Sequence, residues 1–287
     1  MRVAENTIPN AGAAGTITIG GDLTVNRLGF GAMRITGRGI WGDPPDRDEA
    51  KAVLRRTVEL GVDFIDTADS YGPNVSEELI AEALHPYPEG LVIATKGGLE
   101  RTGPGQWPSN AHPDHLRQAC EGSLRRLKVD TIDLYQLHRP DPAVPYEDSV
   151  GALVELQQQG KVRHIGVSNV SVSELRRAQR LAAVVSVQNR FNVVDRGSDD
   201  VLEVCEQEGI AFLPWAPIQD LDRVPALRPV AARHKADPRQ VVLAWLLARS
   251  PVMLPIPGTG SASHLADNVA AATLRLSTDD MAALGAA

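Results

Sequence analysis

The run Leu91-Val92-Ile93-Ala94-Thr95-Lys96 decides the architecture of this chain. Its first four residues are apolar without alternation. A strand built from them buries both faces, as a parallel sheet covered by helices requires. A sheet with one wet face would alternate apolar and polar residues instead.

The same unit, a short apolar strand followed by an amphipathic helix, recurs on both sides of that run. Strands are expected at 27–33, 63–67, 91–95, 131–137, 164–167, 184–188, 210–214 and 253–255. Helices are expected after them at 48–60, 76–84, 114–127, 147–159, 173–181, 200–208, 227–247 and 263–272. The seventh helix restarts at Asp237-Pro238, a cap followed by a first-turn proline. Upstream, 16–19 and 23–25 flank Gly20-Gly21-Asp22, a hairpin signal. Eight units with no composition break predict one domain over 1–287, a (β/α)8 TIM barrel with an N-terminal β-hairpin. An open doubly wound sheet would carry a Gly-x-Gly-x-x-Gly turn after an early strand, and this chain has none.

Composition narrows the partners. The formal net charge is -7, which a nucleic-acid backbone repels. No basic amphipathic segment points to a membrane surface, and no apolar stretch reaches spanning length. Residues 1–15 hold one arginine and no continuous apolar core, so they do not read as a secretory leader. Cys120 and Cys205 fall in expected helices and read as buried free thiols of a reducing cytoplasm. The histidines form no close-spaced ligand pair, so no metal is expected.

Parallel barrels carry their sites at the C-terminal ends of the strands. Four residues stand there on consecutive units: Asp66 in Phe64-Ile65-Asp66-Thr67, Tyr71 in the turn Ser70-Tyr71-Gly72-Pro73, Lys96, and His138 after Leu137. Singly, each has an ordinary structural reading: helix cap, packing anchor, solvated rim lysine, structural histidine. Together they converge on one mouth, where a buried lysine and aspartate need each other to offset desolvation. Tyrosine and histidine then supply a proton donor and a group that orients a carbonyl.

The stretch from Gly61 to Gly72, Gly-Val-Asp-Phe-Ile-Asp-Thr-Ala-Asp-Ser-Tyr-Gly, resembles the aldo-keto reductase signature. Lys96 and His138 match the remaining members of that family's catalytic tetrad. The resemblance continues through Ile165-Gly166-Val167-Ser168-Asn169, Gln188-Asn189 and Ile256-Pro257-Gly258-Thr259-Gly260. It implies reduction of aldehydes or ketones, small-molecule carbonyls, by hydride from C4 of a nicotinamide. Tyr71 is then the general acid. Lys96 is expected to lower its pKa from about 10, Asp66 to hold Lys96 charged, and His138 to direct the carbonyl oxygen.

The same resemblance places Ser168, Asn169 and Gln188 on the nicotinamide carboxamide and Trp215 on its ring. Alone, Ser168-Asn169 could equally cap the next helix, and Trp215 could be a core residue. The resemblance also places Met33, Asp66, Ala216 and Ile218 at the cofactor. Gly258, Thr259, Gly260, His264 and Asn268 fall at its phosphate and adenine end, where glycines admit close backbone approach and a helix N-terminus offers free N–H donors. Many family members carry a lysine and an arginine where this chain has Gly258 and His264. NADP(H) is still expected, with NAD(H) as the other possibility. Trp41 and Trp107 are candidate substrate walls, and the tail from Leu274 is too short for the pocket-closing loop of some members.

Two other readings stand beside this one. A barrel aldolase would use Lys96 as a Schiff-base amine. A cofactor-binding sensor would keep the fold without turnover, as in potassium-channel β subunits.

Overall fold

The computed structural model describes residues 8–285; part of the stretch read against a leader therefore lies outside the described residues. Seven parallel strands follow one another in chain order around a curled sheet. They are β3 (Phe30–Gly31), β4 (Phe64–Asp66), β5 (Val92–Gly97), β6 (Ile132–Leu137), β7 (Val162–Ser168), β8 (Val184–Gln188) and β9 (Ala211–Phe212). Helices α1 (Arg47–Glu59), α2 (Val75–Leu84), α3 (Pro113–Leu127), α4 (Tyr146–Gln158), α5 (Val172–Gln179) and α6 (Asp199–Glu208) alternate with them. All six residues of β5 are buried, as its unbroken apolar run predicts.

The expected eighth strand at 253–255 does not form a regular ladder. The segment nevertheless closes the barrel between β9 and β3. The amides of Phe212, Gly29 and Gly31 donate to the carbonyls of Val252, Pro255 and Pro257, and Leu254 donates back to Phe212. Pro255 and Pro257 have no N–H to return, which is why the pairing is broken. The first strand is also shorter than expected. After Gly31 the chain tightens into a 3-10 turn, Ala32–Ile35.

Alternation along the strands sorts the side chains into two layers. Inward residues Phe64, Val92, Ala94, Leu134, Ala211, Leu213, Leu254 and Ile256 fill the barrel. They pack on Ile19, Leu23 and Val25 from the antiparallel hairpin of β1 (Thr16–Ile19) and β2 (Leu23–Asn26). The predicted hairpin is therefore a plug beneath the barrel. Asp22 at its turn accepts from Arg163 and His164.

Helix ends follow their caps. Asp46 accepts from the amides of Asp48 and Glu49 at the start of α1. Ser171 and Glu174 form a reciprocal capping box on α5, so Ser168-Asn169 is not the cap. The seventh helical stretch divides as expected, into α7 (Leu227–His234) and α8 (Pro238–Arg249). After α9 (Ala262–Ala270), the short tail holds an unexpected helix, α10 (Thr278–Gly285), tied down through Asp280 to His234 and through the Leu284 and Gly285 carbonyls to Arg196. Among the described residues, no helix is long and apolar enough to cross a membrane.

Candidate active site

Period-two alternation points Lys96 into the barrel and its neighbour Thr95 outward, where Thr95 Oγ1 donates to Glu77 on α2. Lys96 Nζ lies 2.7 Å from Asp66 Oδ2, 2.8 Å from the Thr67 carbonyl and 3.5 Å from the Tyr71 hydroxyl. The lysine is 0 % exposed, whereas Tyr71 and His138 retain 7 % and 8 %. The ion pair is therefore sealed, while Tyr71 and His138 keep a small exposed area. The His138 ring stands edge-on to Tyr71, with centroids 5.9 Å apart. The sequence-predicted foursome is thus one cluster.

Its electrostatics follow from burial. Desolvation penalises the Lys96 cation, but Asp66 and Tyr71 outweigh it and raise its pKa, so the amine stays protonated. Tyr71 departs from expectation. Burial pushes its hydroxyl above the ordinary range, and the opposing pull of Lys96, across a long 3.5 Å contact, does not reverse this. Burial and the Lys96 cation push His138 well below the usual imidazole range, so it is neutral near pH 7.

Two participants were not read from the sequence. Gln136 pairs in register with Lys96 on the neighbouring strand, and its Nε2 donates to Asp66 Oδ1 at 3.3 Å. The signal for it was alternation: a polar residue in an apolar strand, on the same face as His138. Ser70 Oγ lies 3.4 Å from His138 Nδ1, and nothing local to the sequence marks that contact.

The expected nicotinamide residues gather on the adjoining strand ends. Gln188 Nε2 donates to Asp66 Oδ1 at 2.7 Å, tying β8 to the ion pair. Ser168 Oγ donates to the Gln188 carbonyl at 2.7 Å. Asn169, held at φ +58°, donates to the His138 carbonyl and accepts from Trp215 Nε1 at 3.1 Å. Trp215 is half-buried beyond β9 and is no core residue. That role falls to Trp245, stacked on Phe191. Ala216 and Ile218 follow in the same loop, and Met33 lies half-buried in the turn after β3.

Farther along the rim, Gly258 packs so closely on β3 that a Cβ there would sit 2.4 Å from the Gly31 carbonyl oxygen. Thr259 Oγ1 accepts from Ser261 N, leaving its hydroxyl hydrogen free to donate. No side chain caps α9, His264 is exposed on its first turn, and Asn268 is buried one turn later. Trp41 and Trp107 are half-buried at the mouth, and Trp107 stands edge-on to Tyr71 at 6.3 Å. Among the described residues, no cluster of three His, Cys, Asp or Glu could hold a metal. Cys120 and Cys205 are buried free thiols, with pKa pushed up to about 12 by desolvation.

Comparison with known proteins identifies the family. The aldo/keto reductase family profile matches residues 27–220 and 218–287. An uncharacterized oxidoreductase of Schizosaccharomyces pombe is 49% identical over 99% of this chain and 93% of its own length. Pyridoxine 4-dehydrogenase of Escherichia coli is 42% identical over 95% of this chain and 98% of its own. An aldo/keto reductase from Klebsiella pneumoniae, solved with NADP and acetate, superposes with a TM-score of 0.79 at 28% identity, covering 94% of this chain and 93% of that one. The chain belongs to the aldo/keto reductase family, oxidoreductases acting on carbonyls.

Proposed function

We propose that this protein, acting as a single-domain barrel, reduces aldehydes or ketones to alcohols with NADPH, and that Tyr71 delivers the proton. The observation that carries this reading is the sealed Lys96–Asp66 pair against a tyrosine hydroxyl and beside a neutral histidine, both of which keep slight exposure.

The residues present fit a nicotinamide dinucleotide. Ser168, Asn169 and Gln188 provide amide-matching donors and acceptors on neighbouring strand ends, beside the indole of Trp215. Gly258, with no room for a Cβ, and the uncapped start of α9 provide close backbone and free N–H groups for phosphate. Such a cofactor, when bound, supplies the hydride. NADPH is preferred over NADH on the family's habit. The loss of a cation at Gly258 and its weakening at His264 narrow that preference.

The chain's own residues handle the proton and the charge. Tyr71 keeps its proton at neutral pH and donates it to the oxygen on which negative charge grows. Lys96, held cationic by Asp66, stabilises the tyrosinate left behind. Neutral His138 donates to the same oxygen and fixes its direction. The protonated state of Lys96 also argues against the aldolase reading, since Schiff-base chemistry needs a free amine.

The relationship to pyridoxine 4-dehydrogenase makes pyridoxal and pyridoxine the first substrate pair to assay. Tyr71→Phe removes the donor and keeps the ring. It should lower carbonyl reduction by about 10²–10⁴ while leaving cofactor binding intact. Near-wild-type reduction by this variant would overturn the assignment. Absence of turnover by the wild-type protein on aldehydes, ketones and pyridoxal would favour a sensor.

A further inference from the structure

One guanidinium outside the foursome joins the loops that follow β3, β4 and β5. Arg101 lies just beyond β5, and its five N–H groups all donate to backbone carbonyls. Nε reaches Gln106 at 2.9 Å. Nη1 reaches Ile40 at 2.7 Å and Ser70 at 2.9 Å. Nη2 reaches Gly39 at 3.1 Å and Gly103 at 3.4 Å. These carbonyls belong to the loops after β3, β4 and β5. The guanidinium carbon sits 3.5 Å from the centre of the Trp107 ring and 5.6 Å from that of Trp41.

Each of those loops carries a residue of the mouth: Trp41, the Ser70-Tyr71 turn and Trp107. Arg101 touches all three. Trp107 is edge-on to Tyr71, and Ser70, whose carbonyl Arg101 holds, places its hydroxyl beside His138. A planar five-donor fork that also stacks on indole can do this; a lysine, with three donors on one atom, cannot.

We propose that Arg101 is a positioning residue that sets substrate specificity: it holds Trp41 and Trp107 as one aromatic wall beside Tyr71, and that wall selects flat aromatic carbonyls over short aliphatic ones. The proposal rests on the carbonyl-reductase reading above. Flat rings gain from stacked or edge-on contact with a fixed indole, whereas a three-carbon aldehyde reaches Tyr71 and His138 without needing the wall.

The test compares wild type, Arg101→Ala and Arg101→Lys with NADPH, on benzaldehyde and on propanal. Losing one or two ordered aromatic contacts should raise KM for benzaldehyde about tenfold in Arg101→Ala. The value of kcat/KM for propanal, which does not need the wall, should fall clearly less than that for benzaldehyde, and the NADPH dissociation constant should stay within about twofold. Arg101→Lys should resemble Arg101→Ala, and it carries the test if the alanine variant does not fold. Equal losses on both aldehydes, or no loss on either, would overturn the proposal. Calorimetric binding of benzaldehyde to the NADP+-loaded proteins separates this result from the activity itself. If the wild type reduces neither aldehyde, nor ketones and pyridoxal, the carbonyl-reductase reading fails. Weaker benzaldehyde binding by the arginine variants would still support the wall, and unchanged binding would overturn it.

Discussion

Asp69→Asn should free the stability of this fold from one proton. Asp69 lies two residues before Tyr71 and is 8 % exposed, and among the described residues its Oδ1 has no partner. Burial, with the Glu77 carboxylate nearby, holds its pKa up at about 8 against an ordinary 3.8. In the unfolded chain the carboxyl ionises above about 4, whereas in the folded protein it keeps its proton to about 8. Between those limits the folded state binds one more proton than the unfolded state. Wild-type stability therefore falls as pH rises, by about 1.4 kcal/mol per pH unit from this group. Below the window both states are protonated, above it both are ionised, and the dependence stops at either end. Asparagine has nearly the same shape and no proton to lose. Urea melts of both proteins at about pH 5.5 and about pH 7.5 should show their stability difference moving by about 2.7 kcal/mol in the variant's favour. Any constant offset from the new amide cancels in that comparison. A difference that stays flat across the range would refute the reasoning, since Asp69 would then ionise alike in both states.

Lys96→Met leaves Asp66 buried with only its glutamine donors, so denaturant melts should show a loss of about 3–5 kcal/mol along with loss of reduction. Because burial raises the Tyr71 pKa, kcat for reduction should be level across neutral pH and fall only on the alkaline side of about 10; a decline through pH 7 would contradict it. Trp215→Ala should weaken cofactor binding in fluorescence titrations while leaving the melting midpoint nearly unchanged; an unaltered dissociation constant would make the indole a packing element.

The barrel was legible wherever a strand is buried on both faces, because the apolar run of β5 leaves no alternation to confuse with a half-exposed sheet. It was least legible at its closure. Residues 32 and 33 turn where an extended strand was expected, and two prolines thin the pairing of 252–257, so tertiary context overrides the local pattern at both places. The foursome was readable because each member ends a strand or follows one closely. Gln136 and Arg101 were not, for a different reason. What Gln136 does depends on the register that sets it opposite Lys96, and what Arg101 does depends on three loops meeting in space. Lys96 pulls the Tyr71 pKa down as expected, but burial outweighs it, and depth of burial cannot be read from sequence as a nearby cation can.

The prolines at the barrel's closure also bear on how the molecule breathes. Around the rest of the ring, strands exchange amide bonds in both directions, but Pro255 and Pro257 only receive them from Gly29 and Gly31. A seam of one-way bonds is where a closed cylinder parts with least resistance. The chain runs from that seam straight into Gly258, Thr259 and Gly260. A group held by those residues would therefore sit on the most thinly bonded seam of the cylinder, against the first strand and the last segment at once.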